Sequence, residues 1–194
     1  KWHRVSDPKP HAPSAGTMRT LKPARQKAVD QFVLSHRVNA ASKGCDLESL
    51  AVLLTGRWGD QLEQLRALFR WVVEHVTFDM PTFLQYRERS VAVPNQGARE
   101  VLRRRIAVNT GYANLMHAMC RAVGLQSFLV RGNGKGWSVP KYLQRNSGGP
   151  DVVSDHVWIA VYVREGWQFV DPCWGAGTIE WRVGVNAAAS IASA

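Results

Sequence analysis

The chain has 194 residues, 45% hydrophobic, 21% charged and 9% aromatic, with 25 Lys and Arg against 15 Asp and Glu for a formal net charge of +10. This composition excludes collagen-like, coiled-coil and wholly disordered classes, and the length suffices for one domain that buries its own core. The charge raises nucleic acid or anionic membrane as partners and establishes neither.

Lys1 to Thr20 hold Pro8, Pro10, Pro13 and Gly16 among scattered cations without apolar periodicity, and read as a basic, flexible leader. The chain opens on Lys and no signal-peptide hydrophobic region follows, so it reads as a fragment of something longer. From Ala24 the pattern is helical, with Ala28, Val29, Phe32 and Val33 on one face. The clearest helix carries Leu62, Leu65, Leu68, Phe69, Val72, Val73 and Val76 at three- and four-residue steps, with Asp60 as its cap and its end near Thr77. Met80 to Gly97, with Pro81, Pro94 and Asn95, reads as a loop region that leads to the run Arg103-Arg104-Arg105. A third helix is predicted over Thr110 to Val123, striped by Tyr112, Leu115, Met116, Met119 and Cys120 and stopped by Gly124.

Beyond Gly124 the period changes from helix to strand. Leu125 to Arg131 and His156 to Val163 are rich in β-branched and aromatic residues, and a turn at Arg164-Glu165-Gly166 leads into Trp167 to Asp171, which makes a hairpin. Gly132 to Asp155 is a long glycine-rich excursion, and Asn186 to Ala194 a small-residue tail. The expected architecture is a single α+β domain over residues 21–185, with N-terminal helices on an antiparallel sheet. The longest apolar run, Val157 to Val163, is far short of the ~18 residues of a membrane span, so the chain reads as soluble. Cys45, Cys120 and Cys173 are odd in number, well separated and free of any C-x-x-C pair. They predict neither a disulfide framework nor a zinc site, and a reducing, intracellular setting fits them best.

Chemistry concentrates at the hairpin. With the turn centred on Arg164 and Glu165, Asp171 falls opposite Trp158 and becomes a diagonal neighbour of His156, ~7–8 Å away at the backbone. A carboxylate so placed fixes an imidazole tautomer and leaves the other nitrogen free as a base. A structural His–Asp hydrogen bond has the same spacing and, from spacing alone, is the commoner outcome. The same register sets Cys173 opposite His156. Arg103, Arg104 and Arg105 form a basic patch that reads first as a solvated face. Gly132-x-Gly134-x-Gly136 lacks the flanking elements of a phosphate loop.

The stretch Ala107-Val108-Asn109-Thr110-Gly111-Tyr112-Ala113-Asn114-Leu115, followed by Met119-Cys120 and Gly124-Leu125, resembles the G-V-C-x-G-Y-A-x-L block of transglutaminase-like cysteine enzymes. His156-Val157-Trp158 resembles their H-A-W strand, and Val170-Asp171-Pro172-Cys173-Trp174-Gly175-Ala176-Gly177 the V-D-x-x-W-G-A-G ending of the kyphoscoliosis peptidase-like branch. The helix around Phe69-Arg70-Trp71-Val72 matches that branch too, so the similarity covers about residues 65–177. It implies a papain-like fold whose cysteine thiolate attacks a glutamine amide or peptide carbonyl, with His156 and Asp171 as partners.

The position of that cysteine holds Asn109. A carboxamide has no ionisable proton and no nucleophile to match a thiolate, whereas Asn is a favoured helix cap. The expectation is therefore an inactive domain with a degenerate triad Asn109, His156 and Asp171, and a former cleft walled by Tyr112, Trp158 and Trp174. Its implied role is a protein- or peptide-binding module of a larger cytoplasmic protein with cytoskeletal or cytokinetic partners, without cofactor or metal. Two alternatives stay open: a cysteine enzyme using Cys173 with His156, or an engineered inactive form of one; and a polyanion-binding module. Residues 1 to 37 carry eight cations against two anions, +6 of the +10, so contact with nucleic acid or membrane belongs to the leader and first helix.

Overall fold

The computed structural model describes residues 20–87, 93–132 and 156–177. All of the predicted leader but Thr20, the excursion beyond Gly132 and the small-residue tail lie outside the described residues.

Four helices come first: α1 (Pro23–Val33), α2 (His36–Ala41), α3 (Leu47–Thr55) and α4 (Gln61–His75). Each begins on a recognisable signal. Pro23 starts α1, where its missing N–H costs nothing. Ser35, Asp46 and Asp60 accept from the N–H groups of Val38, Ser49 and Leu62 at the starts of α2, α3 and α4. Leu65, Leu68 and Val72 of the predicted stripe are buried in α4, together with Trp71.

The expected loop from Met80 to Gly97 is partly wrong, because α5 (Met80–Arg87) occupies its first half. Pro81 is the second residue of that helix, where proline is tolerated, and Asp79 Oδ1 accepts from Thr82 N–H at 3.1 Å. A further helix, α6 (Ala98–Arg104), precedes α7 (Asn109–Ala122). Two short strands, β1 (Thr77–Phe78) and β2 (Ile106–Ala107), pair in parallel and tie the end of α4 to the start of α7.

The strands β3 (Ser127–Gly132), β4 (His156–Val163) and β5 (Gly166–Val170) form one antiparallel sheet in that order. Ile159 pairs with Val170 and Tyr162 with Trp167, so the register runs as the spacing predicts. Arg164 and Glu165 both have positive φ, 48° and 64°, as a two-residue hairpin turn matched to the sheet twist requires. Val157, Ile159, Val161 and Val163 join Leu115, Met116, Met119 and Cys120 of α7 in the core, each burial contributing about 1.5–3 kcal/mol. Between them, Trp158, Ala160 and Tyr162 share the opposite face with Phe128, Trp167 and Phe169. A last turn of helix, α8 (Pro172–Gly175), leaves the end of β5 and packs on α4 and α7.

Candidate functional site

Three elements deliver three polar side chains to one point. Asn109 is the first residue of α7, His156 the first of β4, and Asp171 follows β5 as the N-cap of α8. His156 Nε2 lies 2.5 Å from Asp171 Oδ2. His156 Nδ1 lies 3.3 Å from Asn109 Nδ2. These partners assign the tautomer, since a carboxylate only accepts and an amide nitrogen only donates. Nε2 therefore carries the proton toward Asp171, and the lone pair of Nδ1 receives an N–H from Asn109. The other carboxylate oxygen of Asp171 accepts from Trp174 N–H at 3.0 Å, so one side chain holds both the imidazole and α8.

Asn109 differs in one respect from the expected helix cap. Val108, in extended conformation, is the capping residue and makes no side-chain bond. Asn109 lies one position inside the helix, where its Oδ1 accepts from Thr110 N–H at 2.7 Å and from Thr110 Oγ1 at 3.3 Å. It satisfies an orphan donor of the first turn with its oxygen and faces His156 with its nitrogen.

The imidazole is 7% exposed and lies between two indoles. The Trp174 ring stacks at 4.6 Å between centroids and 22°, that of Trp158 at 5.8 Å and 27°. Trp174 is 51% exposed and forms the solvent wall. Trp158 lies across Gly132, where a Cβ would come within 2.6 Å of its ring. The third expected wall is absent: Tyr112 is 0% exposed and its hydroxyl donates to Val76 O at 2.5 Å. Burial, with nearby Cys173 adding, pushes that hydroxyl above the usual tyrosine range.

Cys173 does not face His156 across a ladder. Strand β5 ends at Val170 and the chain turns into α8, because Pro172 cannot extend the pairing and Asp171 caps a helix. Burial, followed by the charge of Asp171, pushes the Cys173 thiol up to about 12, away from thiolate chemistry. Burial alone raises Cys120 equally, to about 12.

The three arginines are likewise dispersed. Arg103 forks onto Glu100 at 3.0 and 2.6 Å, Arg104 comes to 3.9 Å from Asp79, and Arg105 lies over the Trp71 ring at 4.2 Å. They do not form a common patch.

Gln96 escaped the sequence reading. Its Oε1 accepts from Val108 N–H at 3.1 Å, its Nε2 donates to Pro94 O at 3.0 Å, and its carbonyl accepts from Asn114 Nδ2 at 2.9 Å. It thus fixes the backbone just before Asn109. A Cβ at Gly111 would strike its Oε1. That glycine is the one sequence signal for such a close approach, and it names no partner. Among the described residues no group of three His, Cys, Asp or Glu is placed to hold a metal ion, and no helix is long and apolar enough to cross a membrane.

The model of the transglutaminase-like superfamily matches residues 48–172. The kyphoscoliosis peptidases of Mus musculus and Homo sapiens are each 33% identical over 119 residues, which is 61% of this chain and 16% of theirs. The chain thus spans about a sixth of the length of these curated relatives. A solved structure described as "Crystal structure of a TGase" aligns with a TM-score of 0.46 and 17% identity over 87% of this chain and 36% of that one.

Proposed function

The chain belongs to the transglutaminase-like superfamily, and from that premise we propose that it is a catalytically inactive member, a pseudoenzyme domain that binds protein within a larger cytoplasmic, cytoskeleton-associated protein. One observation carries the reading: the side chain opposite His156 Nδ1 is the carboxamide of Asn109, 3.3 Å away. An imidazole held by a carboxylate activates a nucleophile by accepting its proton. The Asn109 amide offers a hydrogen bond and no acid, so the dyad has no thiolate to generate. What remains is a rigid polar centre beside two indoles, one of them half exposed, suited to hold a peptide rather than cleave it. The cytoskeletal or cytokinetic partner follows from the resemblance to the kyphoscoliosis peptidase-like branch and not from residue chemistry.

Two assays test the inactive half. The unaltered protein is expected neither to transfer amines to glutamine nor to cleave peptides, and turnover in either assay would refute the proposal. In Asn109→Cys, the helix N-terminus and the imidazole should give the new thiol an apparent pKa below ~8.5 by alkylation rate, with Cys173 inert under the same conditions. Co-sedimentation with filamentous actin and microtubules tests the binding half. Loss of binding in Trp174→Ala at constant salt supports the cleft. Binding that disappears only with added salt or on removal of residues 1–37 instead assigns contact to the basic arm.

A further inference from the structure

Two buried donors meet where the end of α6 crosses α4. Trp71 is 0% exposed, and its Nε1 has no hydrogen-bond partner among the described residues. Nη1 of Arg105 is buried and equally without one. The guanidinium lies over the Trp71 ring, 4.2 Å from its centroid. Each nitrogen is within two bonds of the centre that defines this distance, so both N–H groups can reach one small acceptor. Buried donors are almost always paired, and an uncompensated buried charge is costlier still. Stacking on the indole answers part of the charge and neither N–H, since the ring face offers π electrons and no lone pair. Arg105 also holds a left-handed backbone, φ 59°, where Gly or Asn is favoured. Its side chain, and not its backbone preference, accounts for an arginine there.

Among the described residues no neighbouring side chain supplies the missing acceptor. Asp79 accepts from Thr82 N–H at 3.1 Å and faces Arg104 at 3.9 Å, and Glu74 pairs with Arg70 at 2.9 Å. His75, stacked on the same indole, directs its ring nitrogens to Trp71 O and Asn39 Oδ1. Burial alone lowers the Arg105 pKa, with no carboxylate pulling it back. We propose that Arg105 and Trp71 form a binding site for one halide-sized monovalent anion, chloride in ordinary salt, held between Nη1–H and Nε1–H. Size follows from enclosure: Trp71 is fully buried, so an ion enters from the guanidinium side, and a sulfate or phosphate brings more oxygens than two donors can satisfy. A water molecule would meet the donors without balancing the charge. The site sits on the tie between α4 and α7, because Arg105 O accepts from Thr77 N–H at 2.9 Å and β2 follows directly. An anion there steadies the approach to Asn109. The inference is independent of the pseudoenzyme reading and needs no protein partner.

Chloride titration of the unaltered protein tests the site, with sodium gluconate making up constant ionic strength so that general screening cancels. By nuclear magnetic resonance, the Trp71 indole N–H and the Arg105 guanidinium should shift saturably with one common midpoint. The melting temperature should rise with chloride over the same range, as binding to the folded state alone requires. Bromide should act as chloride does, and sulfate at matched ionic strength should give no saturable shift. Arg105→Gln should raise the midpoint at least about tenfold, because a charge-assisted bond is lost. The resonance measurement needs no variant, so it decides the question even where Arg105→Gln fails to fold. A Trp71 resonance that chloride leaves in place, one that follows ionic strength instead, a midpoint unchanged in Arg105→Gln, or a stronger response to sulfate would each overturn the assignment.

Discussion

Asp171 does two jobs with two oxygens, and the geometry of α8 decides whether it can. One oxygen orients His156 and the other caps α8 at Trp174 N–H. Trp174 reaches the imidazole face because α8 packs closely on α4, and Gly175 permits that approach. A Cβ at Gly175 would strike the Phe69 ring and come within 3.1 Å of Val73. Gly175→Ala should therefore destabilise the protein by about 1–3 kcal/mol through overpacking and lift Trp174 from His156. Denaturant unfolding measures the first effect and a change in Trp fluorescence the second, and a neutral result in both would show that α8 is loosely held. The closeness of His156 and Asp171 was legible because the hairpin turn at Arg164-Glu165 fixes the register that brings them together. The roles of Gly111, Gly132 and Gly175 were not, because a glycine records that something comes close without recording what.

The hairpin and α4 depend on each other through Asp60. Its Oδ1 accepts from Leu62 N–H at 2.7 Å as the cap of α4, and the carboxylate also pairs with the Arg164 guanidinium from the β4–β5 turn. Gln61 Oε1 accepts from Arg164 N–H at 3.2 Å. Partial burial alone would raise the Asp60 carboxyl, but the hydrogen bonds from Arg164 and Leu62 outweigh it and hold it below the usual carboxylate value. Arg164 thus keeps its left-handed backbone, disfavoured for a non-glycine residue, with its side chain and N–H both anchored. Asp60→Ala should cost about 1–2 kcal/mol, from the lost cap and the partly exposed ion pair, and should raise amide exchange in the turn as well as at the start of α4. Exchange confined to α4 would sever the proposed link between the elements. Helices α1, α4 and α7 and the hairpin were visible in sequence because their periods repeat over enough residues, 11, 15 and 14 in the three helices. The shorter α2, α3, α5 and α6 were not, since six to nine residues give too few turns for a periodic signal, and Pro81 reads as a breaker until its place at the head of α5 is known.

On the scale of the whole molecule, a column of side chains joins three parts of the chain that are distant in sequence. Trp71 of α4 is fully buried, with His75 stacked on it at 4.7 Å and Arg105 over it at 4.2 Å. His75 Nδ1 lies 2.9 Å from Trp71 O and Nε2 3.0 Å from Asn39 Oδ1 in α2. Nothing in the sequence announces this column, because its members are spread from residue 39 to residue 105 and each reads singly as ordinary packing. Burial holds the His75 pKa below its usual 6.5, and the positive charge of Arg105 adds to burial against the opposing pull of the Trp71 carbonyl. His117 is lowered in the same direction, by burial and then Arg121. A folded-state pKa below the unfolded one means that the unfolded chain takes up the proton first. Stability is thus fully present above about pH 6.5 and is lost as the pH falls from there through the folded value. Melting temperatures measured from pH 8 to pH 5 should fall over the acidic part of that range, and His75→Gln should make the fall shallower. The same slope in the variant and the unaltered protein would place the pH sensitivity elsewhere, and a slope of opposite sign would mean that His75 gains its proton on folding, with both ring nitrogens donating to the oxygens that face them.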